Sequence, residues 1–245
     1  AGMGVAMPGR KSEHRTAWRP ALLALALFAS FASGAGSSAA GAGNPLPVQV
    51  AAMLYSQPPK PMGGILLSSL RDPDGSAADQ WVWDGFIFSS RQSITEIRWR
   101  GAYDPARLGS GGRVVDFTVD IYPSNATGAQ PDVTRPPLVH YEVGGNAGEV
   151  AAEVLGGVQT YDYRFPLPAA FEADAQKKYW LQIEAYQGGS PDWGLSAAAS
   201  GDGAYFRRIP GQGANYQLVA GDATFALFGP LSSGVRVRMP LVLSP

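Results

Sequence analysis

Hydrophobic and polar residues alternate along residues 114–122. The apolar positions are Val115, Phe117, Val119 and Ile121, and the positions between them are Asp116, Thr118, Asp120 and Tyr122. Successive side chains of an extended chain point to opposite faces, so this period of two predicts a strand with one buried face. The apolar set is therefore predicted to lie in a core.

Similar short runs recur along the chain, and no long helical pattern interrupts them. They are residues 81–88, 94–101, 138–143, 158–165, 179–186 and 225–229. Turn-forming Gly, Pro and Asp residues separate the runs, which is typical of short antiparallel strands. The predicted fold is all-β, an antiparallel two-sheet β-sandwich of jelly-roll type.

Three of these runs carry more specific expectations. In residues 179–186, Leu181 and Ile183 are predicted to face the core. Residues 81–88 are apolar on both faces, which predicts a central strand or one that lines a site. Arg98 and Arg100 are expected to pair with the aspartates of residues 114–122 if the two strands are neighbours.

Residues 1–42 have the order of a secretory signal peptide. A basic stretch precedes an apolar run at residues 21–32, and small residues follow it. The apolar run is roughly 12 residues long, whereas a membrane-spanning helix needs about 20. We expect translation to start at Met7, cleavage between Gly34 and Ala42, and a secreted product without a membrane span.

The rest of the chain divides by composition. Residues 43–61 are rich in proline and are predicted to form a linker, because proline cannot donate to a sheet ladder. Residues 62–230 are predicted to form the sandwich. Residues 231–245 are expected to be a tail or an edge strand.

Charge and cysteine content restrict the function classes. Loss of residues 1–42 would leave 15 basic against 19 acidic side chains, a net charge of −4. Nucleic acid is therefore excluded as an expected partner, because phosphate binding needs clustered positive charge. The chain has no cysteine, so the core rather than a disulfide framework must stabilise an exported domain.

Six segments in a fixed order resemble a known family. They are residues 84–86, 94–101, 117–122, 179–183, 193–194 and 225–229. In this order they are similar to the secreted jelly-roll or galactose-binding-like β-sandwich domains of uncharacterised bacterial surface and extracellular proteins, of the choice-of-anchor and PEP-CTERM type. The resemblance implies a sandwich outside the cell without an established activity. The chain ends at Pro245 without the family's C-terminal anchor, so release from the cell is expected.

Catalytic chemistry finds little support in the sequence. After signal cleavage His140 is the only histidine, there is no cysteine, and no Gly-x-Ser-x-Gly elbow occurs. Asp116 and Asp120 lie about 13 Å apart along one strand, beyond the roughly 5.5–9.5 Å of glycosidase pairs. A carboxylate from another strand remains an open alternative. The protein is predicted not to be an enzyme, and His140 to be a surface histidine.

One loop offers oxygen ligands for calcium. Asp72, Asp74 and Asp79 lie close together around a Pro-Asp-Gly turn, and carboxylate oxygens are the ligands that calcium prefers. The spacing is only part of an EF-hand loop. An ordinary aspartate-stabilised turn is the alternative interpretation, and no other cofactor is predicted.

Outward-facing aromatic residues predict a binding surface. If their faces adjoin and are exposed, they form a platform of rings and polar groups that suits sugar rings. The predicted residues are Trp81, Trp83, Trp180, Gln182, Glu184 and Tyr186. The alternative is that the tryptophans fill the core.

The function hypotheses follow from these features. The first is a secreted, non-catalytic binding or adhesion module with glycan as its ligand class. The second is a structural component of an extracellular matrix or surface layer that binds protein partners. An exported hydrolase ranks last.

Overall fold

Two seven-stranded sheets pack face to face. The computed structural model describes residues 51–71, 79–107, 111–209 and 215–230, which fall within one compact unit, Gln49–Pro245. The first sheet contains β1 (Ala51–Gln57), β2 (Ile65–Leu67), β5 (Gln92–Tyr103), β8 (Val150–Leu155), β9 (Val158–Ala173), β11 (Trp193–Ser196) and β14 (Phe225–Pro230). The second contains β3 (Ser69–Arg71), β4 (Trp81–Ile87), β6 (Val114–Pro123), β7 (Val139–Glu142), β10 (Lys178–Gln187), β12 (Ala204–Ile209) and β13 (Asn215–Ala220).

The order of strands confirms the predicted antiparallel β-sandwich. In the first sheet β5 pairs with β9 along one side and with β14 and β11 along the other. In the second sheet the order is β13-β12-β4-β10-β6-β7, and the short β3 adds a parallel pairing to β10. One turn of 3₁₀ helix, Pro105–Arg107, interrupts the strands. No helix in the described part of the chain is long and apolar enough to span a membrane.

The predicted core faces of β6 and β10 are confirmed. Phe117, Val119 and Ile121 are buried between the sheets, as are Leu181 and Ile183 of β10. Their alternation leaves them no other face on which apolar area can be removed from water.

The first position of the alternation is an exception. Val115 is 63% exposed, whereas its neighbour Val114 is buried. Opposite them on β10, Tyr186 pairs with Asp116 and Gln187 pairs with Val114, so Val115 is the extra residue of a β-bulge. A bulge shifts the alternation by one residue, which turns Val115 to solvent and Val114 to the core.

Aromatic rings fill the centre of the sandwich. Phe117 meets Trp99 at 5.2 Å between ring centroids, and Tyr163 and Trp193 at 5.0 Å each, all close to edge-on. The Trp193 indole donates to the Tyr163 hydroxyl at 2.9 Å, and that hydroxyl donates to Glu149 at 2.9 Å. These bonds allow polar aromatic groups to be buried without losing a partner.

The sandwich begins earlier than predicted. The expected linker at residues 43–61 includes β1, which pairs with β14 at the edge of the first sheet. Prolines flank β1 but do not occur within it, so the ladder loses no donor. The predicted signal peptide and the tail at residues 231–245 lie outside the described residues.

The predicted charge pairing between β5 and β6 is wrong, because these strands belong to different sheets. Arg100 instead binds Asp162 of β9 at 2.7 Å, and also Glu153 of β8. Arg98 binds Glu96 of its own strand. The arginines therefore form pairs on the outer surface of the first sheet, where cross-strand neighbours are set by the β5–β9 register.

Candidate functional site

The outward side of the second sheet carries a second set of packed aromatic rings. We call it the outer aromatic face and define it by Trp81, Trp83, Tyr122, Trp180, Phe206 and Tyr216. Strand β4 lies between β10 and β12, and β6 lies on the far side of β10. Since inward and outward side chains alternate on each strand, five neighbouring strands, β13, β12, β4, β10 and β6, bring these rings to one surface.

The two predicted residue sets do adjoin on this face. Trp83 lies directly opposite Gln182 across the β4–β10 ladder. Trp180 lies opposite Tyr122 of β6. The tertiary structure therefore places the predicted residues of β4 and β10 side by side.

The predicted platform required exposed rings, and this condition is met by only two of its four rings, since two of its tryptophans are buried as in the alternative interpretation. Trp180 is completely buried and Trp83 is 2% exposed, whereas Trp81, Tyr186 and Tyr216 are half-buried. The rings cover one another: Trp83 lies 5.8 Å from Phe206 and 6.2 Å from Tyr122. The face is therefore a small second core whose accessible aromatic surface is at its margin.

Polar bonds fix the orientation of the buried indoles. The Trp180 Nε1 atom donates to the Ser124 hydroxyl at 2.9 Å, and the Lys178 ammonium lies 4.1 Å from the centre of the Trp180 ring. Ser124 follows β6 directly, so this bond ties β10 to the start of the β6–β7 connection. A buried indole is most stable when its N–H finds such a partner.

Glu184 lies on the outer aromatic face beside Trp81. The Trp81 Nε1 atom donates to its carboxyl group, and the Arg208 guanidinium stacks 4.6 Å from the centre of the Trp81 ring. Burial raises the pKa of Glu184 to about 8, so its carboxyl group is predominantly protonated at neutral pH. A neutral carboxyl group, the Gln182 amide and the indole N–H groups therefore lie within this face, and the N–H groups of Trp81 and Trp180 have partners there.

His140 and Asp120 occupy the edge of the same face. The His140 Nδ1 atom lies 2.6 Å from Asp120, and about half of the histidine side chain is exposed. The surface position predicted for His140 is thus confirmed. Asp116 has a different role, because one of its oxygens accepts from the amides of Gly144 and Gly145 at 2.9 Å each and orders that turn.

A group of three carboxylates was not predicted from the sequence. Asp84, Asp202 and Asp222 bring oxygen atoms to within 4.8 Å of one another. Asp84 comes from β4, whereas Asp202 and Asp222 come from loops far along the chain. No short spacing of aspartates in the sequence therefore predicts the group. Burial raises the pKa of Asp84 to about 8.

Hydrogen bonds and an ion pair within the protein stabilise these three carboxylates. Asp84 accepts from the amides of Gly85, at 2.6 Å, and Ala223, and Asp222 accepts from the amide of Gly203 at 2.8 Å. The Lys178 ammonium pairs with Asp202 and supplies positive charge. Three carboxylates are also fewer than the six to eight oxygens that calcium takes, so we assign the group a role in joining β4 to the segment before β14.

Comparison with known proteins identifies the family. A profile described as Domain of unknown function (DUF7901) matches residues 53–202, which is more than half of the chain. The chain belongs to the DUF7901 family. Neither a curated protein nor a solved structure matches it. The DUF7901 match begins in β1 and ends before β12, so it includes Trp81, Glu184 and the rest of the predicted platform but not Phe206 or Tyr216.

The predicted calcium loop of this DUF7901 protein is described only in part. Asp72 and Asp74 lie outside the described residues. Asp79 precedes β4, and its backbone carbonyl accepts from Arg208. This contact brings Asp79 to the margin of the outer aromatic face, and calcium binding by the loop stays a prediction.

Replacing Glu184 by glutamine should change how the stability of the DUF7901 domain depends on pH. The variant keeps an oxygen that accepts from Trp81 but cannot ionise. Between the ordinary value of 4.5 and the folded pKa of about 8, the unfolded wild type releases a proton that the folded protein keeps. Wild-type stability relative to Glu184→Gln should therefore fall as pH rises through this range and level off above it.

Urea unfolding of both proteins at intervals from pH 4 to pH 9 measures this difference. Other carboxyl groups, including Asp84, contribute to both curves and cancel. Parallel curves across the range would show that Glu184 ionises normally in the folded domain.

Proposed function

We propose that this domain is an exported, non-catalytic binding module whose ligand is a glycan held at the outer aromatic face. The observation that carries the proposal is the convergence of Trp81, Gln182 and Glu184 on one outward surface next to a packed aromatic cluster. Sugar-binding surfaces combine a ring for stacking with a few fixed polar groups for orientation.

Trp81 is the ring best placed for stacking. It is half-buried, and its orientation is fixed by the bond to Glu184 and by the contact of its ring with Trp83 at 6.1 Å. A ring that is already ordered loses little conformational entropy when a ligand binds. Trp83 and Trp180 support this surface from below, because both are buried.

Export supports a glycan as the ligand class. The N-terminal order of basic, apolar and small residues is typical of a signal peptide, and glycans are abundant outside the cell. N-terminal sequencing of the protein recovered from culture medium tests export. We expect a start between about residues 35 and 43, and recovery of the uncleaved chain in the membrane fraction would contradict it.

Trp81→Ala should remove most of the glycan affinity while leaving the domain folded. Loss of a stacking ring at the centre of a binding surface typically costs 2 kcal/mol or more, about 30-fold in affinity. Binding is measured by calorimetry against glycans selected on an array. Tyr161→Ala is the matched control, since Tyr161 is a half-buried aromatic residue of the first sheet.

The control should bind as the wild type does. Equal affinity of the Trp81→Ala variant and the wild type would contradict the proposed site. An array without a single hit for the folded wild type would contradict the proposed function.

A structural role with protein partners has one feature in its favour. Val150 and Val154 are exposed on β8, which pairs with β9 and lies at the edge of the first sheet. Exposed sheet edges accept added strands from other chains. The register of β8 is broken between Ala151 and Val154, however, and an interrupted ladder disfavours strand addition. Glycan binding is therefore the function that the structure supports better.

A further inference from the structure

Two buried polar atoms of the outer aromatic face have no hydrogen-bond partner in the described part of the chain. They are the Nε1 donor of Trp83 and the Oε1 acceptor of Gln182. The two residues lie directly opposite each other on β4 and β10, and both point outward from the sandwich. The neighbouring indoles of the face do have partners, since Trp81 donates to Glu184 and Trp180 donates to Ser124.

Leaving these atoms unpaired is unfavourable. A buried polar atom without a partner destabilises a protein, and such atoms are rare in folded proteins. Here one donor and one acceptor occur together, at adjacent positions on the surface that carries the proposed stacking ring. A ligand group that satisfies both atoms would recover much of this free energy.

We propose that Trp83 and Gln182 together bind one hydroxyl group of an uncharged sugar. The hydroxyl oxygen accepts from Trp83 Nε1, and its hydrogen is donated to Gln182 Oε1. The sugar ring lies over the face of Trp81 opposite the Arg208 guanidinium, and the Trp81 ring centroid is 6.1 Å from that of Trp83. This inference rests on the proposed function and assigns its ligand class.

The pair selects a hydroxyl because a hydroxyl both donates and accepts. A carboxylate only accepts, so it would meet the Gln182 oxygen with its own negative charge. An ammonium group only donates, so it would meet the Trp83 N–H without an acceptor. Acidic and amino sugars in which the charged group takes the place of the inserted hydroxyl should therefore bind more weakly than neutral ones, because one of the two protein atoms would stay unpaired.

Burial limits how much of the ligand reaches this depth. Trp83 is 2% and Gln182 is 5% exposed, so we place only the hydroxyl group, and not the sugar ring, at this depth. Specificity then comes from the inserted hydroxyl, and most of the contact area comes from the margin of the face. Ligand sites commonly combine a few buried polar groups that orient the ligand with a larger apolar surface that provides most of the contact area.

Gln182→Met tests the inference with a substitution that nearly preserves the size of the side chain. Methionine removes the unpaired oxygen, so the free domain should be as stable as the wild type or more stable. Affinity for a neutral oligosaccharide should nevertheless fall about 3- to 10-fold, the effect of one neutral hydrogen bond. Gln217→Met is the matched control, because Gln217 is exposed on β13 of the same sheet and points away from the face.

The probes are cellohexaose, xylohexaose, mannohexaose and maltohexaose as neutral sugars, hexagalacturonate as the acidic sugar and hexaglucosamine as the amino sugar. Calorimetry gives the affinities and thermal unfolding gives the stabilities. We expect a neutral hexaose to bind the wild type at least 10-fold more tightly than either charged one. Trp83→Phe, which removes the donor but keeps a ring, provides the second variant.

Three different results would overturn the inference. If a neutral hexaose binds and Trp81→Ala abolishes binding, but Gln182→Met and Trp83→Phe bind as the wild type does, the two atoms hold water only and the proposed function stands. Preference for a charged hexaose would likewise exclude the neutral ligand class. If none of the probes binds the folded wild type, the proposed function fails, and the inference fails with it.

Discussion

Trp180→Ala should lower the free energy of unfolding by about 3–5 kcal/mol, the range measured when a fully buried large aromatic side chain is truncated. Trp180 is completely buried, its indole bond to Ser124 would be lost, and the contact with Lys178 would be lost as well. The cavity would lie on the outer face of the second sheet, outside the main core. Urea unfolding with an unchanged slope measures the loss.

Trp81→Ala is the matched comparison, because it makes the same change on the same face at a half-buried position. It should destabilise the domain by less than half as much as Trp180→Ala. Similar small losses in both variants would mean that Trp180 is exposed to water, and the outer aromatic face would then be an open platform.

Phe117→Ala should also destabilise the domain by about 3–5 kcal/mol. Phe117 is completely buried, and its ring touches the rings of Trp99, Tyr163 and Trp193. Residues from both sheets meet at this point, so the surrounding structure cannot close the cavity without moving one sheet relative to the other. The expected loss therefore lies well above the change of about 1 kcal/mol that is typical of point substitutions.

Val115→Ala on the same strand provides the control. Because the β-bulge turns Val115 to solvent, this substitution should change the free energy of unfolding by no more than about 0.5 kcal/mol. A loss of 1 kcal/mol or more would show that Val115 follows the simple alternation and that the bulge is absent in solution.

The candidate site could be predicted only in part. Alternation on β10 correctly assigned Trp180, Gln182 and Glu184 to the side opposite the core, and the pattern of β4 did the same for Trp81 and Trp83. The sequence does not show that Phe206 and Tyr216, from strands that are distant in the chain, complete the face. Those two residues account for much of the burial of Trp83, because both rings lie within 6.0 Å of it.

The pattern missed seven of the fourteen strands in the described residues, namely β1, β2, β3, β8, β11, β12 and β13. β2, β3 and β11 contain three or four residues each, too few for a period of two to be recognised. β3 and β11 are strands because their long neighbours, β10 and β5, offer free backbone groups for pairing, and β2 pairs in turn with β11. β1 was missed for a related reason, since the surrounding prolines obscured a proline-free run of seven residues.

The sequence by itself determined the fold class and the direction of the long strands' side chains, because alternation is a local property that any extended chain expresses. It also determined which side chains are available for binding chemistry. Only the tertiary structure decided that β5 and β6 belong to different sheets, that Val115 is bulged, and that Trp83 and Trp180 are covered. These features depend on register and on neighbours from distant parts of the chain, and a local pattern of polar and apolar residues contains neither.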